Sequence, residues 1–219
     1  MKKIQTGFTL IELAIVLVII GLLLGGVLKG QALIDSAKVK NMAADFRNIQ
    51  VYIYAYQDKY RALPGDDSRA DGNVAATNKG NGNGKIDGVW SSVGLTDESF
   101  NFWQHVRKAG LATGGETVAA DSTYIPVNAD NGRLGIQSGL TPSITNLKGV
   151  HVVCSDRVLG KYAKQIDVNL DNGDPTTGSI MVVDYGAGTA SLVTGTATVA
   201  PTALASIDDT HFTTVCMAF

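Results

Sequence analysis

The sequence predicts an α+β fold in which a long N-terminal α-helix packs through its second half on an antiparallel β-sheet globular domain. Three observations predict this fold. An apolar run from Phe8 to Leu28 is long enough for a membrane-spanning helix. An apolar stripe at helical spacing then continues to Tyr60. From Thr123 onward, short β-type runs alternate with turn residues, which is typical of an antiparallel sheet.

The apolar run contains a single charged residue, Glu12. As a helix the run is roughly 31 Å long, which is enough to cross a bilayer core. A lone carboxylate inside such a helix costs on the order of 3 kcal/mol and is usually functional. No nearby basic residue of the chain can neutralise Glu12. Lys2 and Lys3 precede the run, and because positive residues stay cytoplasmic, we expect the rest of the chain to lie outside the cytoplasm.

Helical spacing continues beyond the apolar run. The stripe consists of Val39, Met42, Phe46, Ile49, Ile53, Tyr56 and Tyr60. Charged residues occupy the opposite side, as expected for a helix that packs on a domain by one face. The run Leu63-Pro64-Gly65 ends the helix, since proline disfavours helical geometry in the residue before it. We therefore predict one helix from Phe8 to about Arg61.

The run Gly7-Phe8-Thr9-Leu10-Ile11-Glu12, behind a short basic leader, resembles the prepilin signal of type IV pilins and of type II secretion pseudopilins. The resemblance implies that prepilin peptidase cleaves between Gly7 and Phe8 and that Phe8 is N-methylated. It also implies that Glu12, in assembly, pairs with the N-terminal amine of a neighbouring subunit. A secretory signal or a plain membrane anchor is the alternative, but the apolar run is too long for the first. The second leaves Glu12 unexplained.

The resemblance also implies the organisation of the chain and its partners. Residues 1–7 would be the leader, residues 8–35 the transmembrane and filament-core helix, and residues 36–219 a pilin-like globular domain that includes the second half of the long helix. The implied partners are other copies of the chain, prepilin peptidase and the inner-membrane assembly machinery. The segments 63–66 and 163–179 resemble a subset of prepilin-like proteins, to which no activity is attached.

The implied function is that of a structural subunit of a type IV pilus, serving adhesion, motility or DNA uptake. Two alternatives stay open: a pseudopilin of a type II secretion system, and a membrane-tethered extracytoplasmic binding protein. The precursor would cross the inner membrane once, with its globular domain in the periplasm. The assembled protein would lie in an extracellular pilus or a periplasmic pseudopilus.

Two cysteines, Cys154 and Cys216, fit an exported domain. An even number of cysteines outside the cytoplasm indicates a disulfide, and closing a loop of this length would stabilise the fold by roughly 4 kcal/mol. Two buried free thiols are the alternative. Haem attachment and structural zinc need ligand patterns that the sequence lacks.

Residues 65–95 are polar and rich in glycine, which predicts turns. Part of the stretch follows the ligand order of an EF-hand loop, although Lys79 and Trp90 stand where the first and last ligands should be. Two interpretations follow: a plain turn-rich loop, which we favour, and a structural calcium site. The calcium ligands would be Asp71, Asn81, Asn83 and Asp87, with Glu98 as a further candidate.

The rest of the chain predicts two short helices and several strands. The first helix spans about Asp97–Ala109 with Thr96 as its N-cap and Phe102, Trp103 and Val106 in the core. The second spans about Arg157–Leu170, capped by Ser155-Asp156. The predicted strands are Tyr124–Val127, Leu134–Gln137, Val150–Cys154, Ile180–Asp184, Ala190–Val193 and Phe212–Met217.

No enzyme site and no cofactor are predicted. His105, His151 and His211 are far apart in the sequence and match no metal-ligand spacing, and neither a P-loop nor G-x-S-x-G is present. The formal net charge of −2 gives no strong sign of nucleic acid binding, which would require clustered Lys and Arg.

Overall fold

The structure, a computed structural model, describes residues 9–118, 123–138, 144–187 and 199–219. It divides into two compact units, Met1–Ala37 and Lys38–Phe219. Helix α1 runs over Leu10–Tyr60 and confirms the predicted long helix over that range. In the described part of the first unit, the apolar side chains of α1 are exposed.

In the second unit, α1 buries the stripe that the sequence predicts. Six of its seven residues are buried: Val39, Met42, Phe46, Ile49, Ile53 and Tyr56. Five of these six, all except Tyr56, join one hydrophobic cluster with residues of the sheet, including Val153, Val182 and Val215. Burial of apolar side chains at this spacing is what fixes the second half of α1 on the domain.

The sheet has four antiparallel strands in the order β1-β2-β4-β3. Their bounds are β1 Leu134–Ser138, β2 His151–Leu159, β3 Ile180–Asp184 and β4 Phe212–Ala218. Alternate residues of β2, β3 and β4 belong to different hydrophobic clusters: Val153 lies in the cluster that contains the α1 stripe, and Cys154 lies in a second cluster with Trp90 and Ile144. The sheet is thus covered on both faces, and the predicted α+β fold is confirmed.

Strand β2 is longer than predicted. Its ladder with β4 continues through a bulge between Ser155 and Val158, after which Val158 pairs with Thr213. Arg157, inside the bulge, has a φ of 52°, which is the left-handed conformation. The prediction that a helix begins near Arg157 was wrong because this segment belongs to β2, where Val158 and Leu159 pair with β4, and helix α4 spans Gly160–Leu170.

The predicted cap Ser155-Asp156 therefore lies in a strand. The carboxylate of Asp156 accepts a short hydrogen bond from the backbone N–H of Arg133, and the hydroxyl of Ser155 accepts one from the Asn128 side chain at 2.8 Å. Both side chains hold the loop before β1 against the bulge of β2. Their polar atoms thus join two distant segments of the chain and do not cap a helix.

Helix α3 spans Glu98–Lys108 and is close to the prediction, but its N-cap is Asp97 and not Thr96. Gly110, which follows the C-cap Ala109, has a φ of 75° and stops the helix. The sequence missed the short helix α2, Ala70–Val74, inside the polar stretch. A 3-10 turn follows much later, at Leu204–Ser206.

Of two further predicted strands, one is absent from the described residues and the other cannot be compared. The segment Tyr124–Val127 forms only one bridge, between Val127 and Arg133, so a strand there was wrong. The predicted strand Ala190–Val193 lies outside the described residues.

Candidate functional site

The N-terminal end of α1 carries a reciprocal cap between Thr9 and Glu12. The backbone N–H and the hydroxyl of Thr9 both donate to Glu12 Oε2, each at 2.8 Å. The backbone N–H of Glu12 lies 3.3 Å from Thr9 Oγ1. This is the capping-box arrangement, in which the side chains at the first and fourth positions satisfy each other's backbone donors. The T-x-x-E spacing could have predicted it.

The cap gives Glu12 two hydrogen bonds but no counter-charge. Both bonds from Thr9 go to Oε2, so the second carboxylate oxygen, Oε1, keeps its lone pairs. The side chain is exposed. Whether another charged group neutralises Glu12 stays a prediction. Gly7 and Phe8, the predicted cleavage site, lie outside the described residues, and their roles stay predictions.

The surface around Glu12 is apolar over more than six turns of α1. The large exposed apolar side chains between Leu10 and Ile34 include Ile11, Leu17, Leu22, Leu24, Leu28 and Leu33, each more than half exposed. By length and composition, α1 is the one helix of the described chain that could cross a membrane. Such a surface needs a lipid or protein environment, because apolar area in contact with water is unfavourable.

A second polar site is built around the carboxylate of Asp66, directly after the Leu63-Pro64-Gly65 turn. Asp66 Oδ1 accepts the backbone N–H groups of Gly82 and Asn83 at 2.6 and 3.0 Å, and Oδ2 accepts that of Gly84 at 2.7 Å. Gly82 and Gly84 both have positive φ, which lets successive N–H groups turn toward one anion. Sequence reasoning did not find this role of Asp66.

Glu98, at the start of α3, binds the same loop from the other side. Its carboxylate accepts the N–H groups of Asn81 and Asp87 at 2.8 and 2.9 Å. Burial raises the pKa of Glu98, and these two hydrogen bonds oppose the rise. The loop is thus folded around two buried carboxylates, and its backbone donors point inward.

The structure brings three of the four candidate calcium ligands together. The side-chain amides of Asn81 and Asn83 both donate to Asp87 Oδ2, at 2.9 and 2.7 Å. Asp71 instead forms an ion pair of 3.3 Å with Lys79, whose hydrogen bond is the main reason for the lowered pKa of Asp71. Within the described ranges, no three His, Cys, Asp or Glu side chains could hold one metal ion. Calcium at this loop stays a prediction.

The structure joins Cys154 and Cys216 in the expected disulfide, with the two residues directly opposite each other on β2 and β4. Both side chains are fully buried. The bond ties β4, the last strand of the chain, to the middle of the sheet.

The three histidines have separate structural partners. His105 bonds to backbone groups of Gly65 and Asn78, His151 lies 2.7 Å from the Ser138 hydroxyl, and His211 faces Asp184. Burial lowers the pKa of both His105 and His151. Nothing in the described residues brings the three histidines to one site.

Residues 2–28 match the prokaryotic N-terminal methylation motif, the hallmark of prepilins of the type IV pilin and pseudopilin kind. No curated protein and no solved structure matches the chain. The motif confirms the resemblance seen at Gly7–Glu12, and it indicates a structural protein made as a membrane-anchored, pilin-like precursor.

Proposed function

We propose that this protein is a structural subunit of a type IV pilus or a pilus-like filament. Prepilin peptidase cleaves the precursor between Gly7 and Phe8, Phe8 is N-methylated, and the mature chains stack through α1. The observation that carries the proposal is the methylation motif at the start of an exposed apolar run whose one carboxylate is Glu12.

The physical chemistry of Glu12 supports assembly between copies of the chain. In the membrane its carboxyl lies near the cytoplasmic edge of the apolar run, where it can reach water. In a filament, surrounding apolar helices close that route, and an unpaired charge becomes strongly unfavourable. The free α-amine of Phe8 on a neighbouring copy is the matching cation. The cap from Thr9 orients Oε2 and leaves Oε1 for this amine.

The buried apolar surface of α1 supplies most of the association, through close packing of helices. The pair between Glu12 and the amine sets the register, because ion pairs contribute more to specificity than to affinity. N-methylation keeps the amine positive, so the pair survives processing. The globular unit then lies outside the cytoplasm, in a surface pilus used for adhesion, motility or DNA uptake.

A pseudopilin of a type II secretion system is the second candidate, since the methylation motif is common to both kinds of precursor. Deletion of the gene decides between them. Loss of surface fibres supports the pilus, and loss of export of a secreted enzyme supports the pseudopilus. A membrane-tethered binding protein would leave both processes intact and would contradict assembly.

The direct test replaces Glu12 by Ala and by Gln, with Glu116→Ala as the matched control at an exposed acid of the globular unit. We expect the Glu12 variants to reach the membrane, to be cleaved before Phe8 and to give few or no fibres. The control should form fibres as the parent protein does. Intact mass of the fibre subunit should correspond to a chain that begins at N-methylated Phe8.

Two results would contradict the proposal. Normal amounts of ordered fibre from Glu12→Ala would exclude pairing with the amine, and fibres whose subunits retain Lys2 and Lys3 would exclude the processing step. A variant that is no longer cleaved would assign Glu12 to recognition by the peptidase instead of assembly.

A further inference from the structure

Asp167, on the last full turn of α4, is a buried carboxylate without a partner. The residue is 0% exposed, and neither Oδ1 nor Oδ2 has a hydrogen-bond partner. The other buried acids differ, because each accepts hydrogen bonds: Asp66, Asp67, Glu98 and Asp156. A buried carboxylate with no donor is strongly unfavourable, so Asp167 requires a positive or donor group that the described residues do not supply.

The charges around Asp167 make this requirement stronger. Two charged groups act on its carboxylate, and both of them, Asp171 and Asp174, are negative. The last turn of α4 contains no basic residue, although a basic side chain is favoured at the negative end of a helix dipole. Residues 165–180 contain three aspartates and no Lys, Arg or His. The end of α4 therefore concentrates negative charge beside a buried anion.

The turn after α4 carries further oxygen atoms a few residues along the chain from Asp167. Both hydrogen bonds of the Asp171 carboxylate, from Ser179 and Ile180 at 2.6 and 2.8 Å, go to Oδ2, so Oδ1 keeps its lone pairs. Asn172 and Asp174 fold the turn through hydrogen bonds to nearby N–H and hydroxyl groups. The last carbonyl groups of any helix also lack intrahelical partners.

We propose that Asp167 anchors a binding site for a hard divalent cation of the calcium class at the C-terminal end of α4. Asp167 supplies the buried carboxylate, Asp171 supplies Oδ1, and main-chain carbonyl oxygens and water complete the shell. Asp174 contributes negative charge from the rim. Since no three acidic side chains of the described residues can bind one ion together, neutral oxygens must supply most ligands. Calcium accepts six to eight oxygen ligands of mixed kind, whereas zinc prefers nitrogen and sulfur.

A bound proton is the competing explanation, because protonation also removes the charge of Asp167. A protonated carboxyl still carries a donor and an acceptor that need partners, and neither oxygen has one. A cation satisfies both oxygens and also offsets Asp171 and Asp174. The two explanations predict different responses to calcium.

The test uses the full chain in detergent, freed of metal with a chelator near neutral pH. We expect about 10 mM calcium to raise the melting temperature by about 5 °C, as for a site of submillimolar affinity. Equilibrium dialysis with radioactive calcium should give one bound ion per chain at saturation. Asp167→Asn, which keeps the shape of the side chain, should melt cooperatively and lose both responses.

Two controls make the assignment specific. Asp209→Asn removes an exposed acid that pairs with Lys164, a residue of α4. This variant should keep the calcium response. Asp87→Asn alters the glycine-rich loop and should also keep it. A response lost in Asp87→Asn and kept in Asp167→Asn would overturn the proposal and place calcium at the loop. Absence of a calcium response in the parent protein would also overturn the proposal. In that case, a higher melting temperature of Asp167→Asn than of the parent would support the bound proton instead.

Discussion

The backbone N–H of Gly65 donates a hydrogen bond to Nδ1 of His105, with the two nitrogens 2.8 Å apart. The other ring nitrogen, Nε2, lies 2.9 Å from the carbonyl oxygen of Asn78. Because Nδ1 accepts, the proton of the neutral ring must be on Nε2, which donates to Asn78. The fully buried ring of His105 thus joins α3 to the turn after α1 and to the glycine-rich loop.

The double role of His105 predicts a large cost for its removal. His105→Leu leaves the N–H of Gly65 and the carbonyl of Asn78 buried without partners, and we expect the free energy of unfolding to fall by about 2–4 kcal/mol. Urea denaturation of the detergent-solubilised chain measures it. His211→Leu, at a partly exposed histidine, should cost less than ~1 kcal/mol. Equal losses in the two variants would contradict the structural role of His105.

The carboxylate of Asp66 should contribute more to the stability of the fold than that of Asp71, although both lie near the same loop. Asp66→Ala removes the acceptor of three backbone N–H groups, and we expect a loss of about 3 kcal/mol in the free energy of unfolding. Asp71→Ala removes only an exposed ion pair, which contributes little to stability, and should lower the free energy of unfolding much less. Thermal melting of both variants gives the comparison. A smaller loss of stability in Asp66→Ala than in Asp71→Ala would contradict the role of the Asp66 carboxylate as the acceptor of the three N–H groups.

Asp45 predicts a pH dependence of stability. It is half-buried in a groove between α1 and the loop around Asn128, and burial raises its pKa to about 6. Since the unfolded carboxyl titrates near 3.9, the folded state holds the proton more tightly. Its contribution to stability is therefore present at low pH and is lost as pH rises through about 6.

Asp45→Asn does not titrate, so it should be more stable than the parent at about pH 7.5, by about 1 kcal/mol after allowance for solvent screening. At about pH 4 the two proteins should be alike in stability, because the parent carboxyl is then protonated in the fold. Denaturation curves at the two pH values test this. Asp58→Asn, at an exposed acid of the same helix, should show no such difference. If Asp45→Asn were more stable than the parent only at low pH, the predicted direction of the pH dependence would be wrong.

The disulfide should stabilise the fold by restricting the unfolded chain, so its removal should lower stability. The bond closes a loop with a sequence separation of 62 residues, and its removal should cost about 4 kcal/mol in the chain-entropy model. The double variant Cys154→Ala, Cys216→Ala should melt earlier than the oxidised parent, and the reducing agent that lowers the parent's melting temperature should leave the variant unchanged. A parent protein insensitive to reduction, with both thiols accessible to alkylation, would contradict the bond.

The sequence by itself determined the features that depend on neighbours a few residues apart. The period of the stripe from Val39 to Tyr56 fixed α1 and its buried face, since residues three and four apart share one side of a helix. The run at Gly7–Glu12 indicated the methylation motif. The short β-branched run Ile180–Asp184 was a strand as predicted.

Only the tertiary structure decided the features that depend on contacts between distant segments. Residues 157–159 have a helix-like pattern, yet they belong to strand β2 because Val158 pairs with Thr213, 55 residues later. The acceptor role of Asp66 depends on where the chain returns at Gly82–Gly84, and the burial of Asp167 depends on how α4 packs on the sheet. A local pattern carries no information on which distant donor, strand or apolar surface will meet a side chain, and these meetings set its hydrogen bonds and its burial.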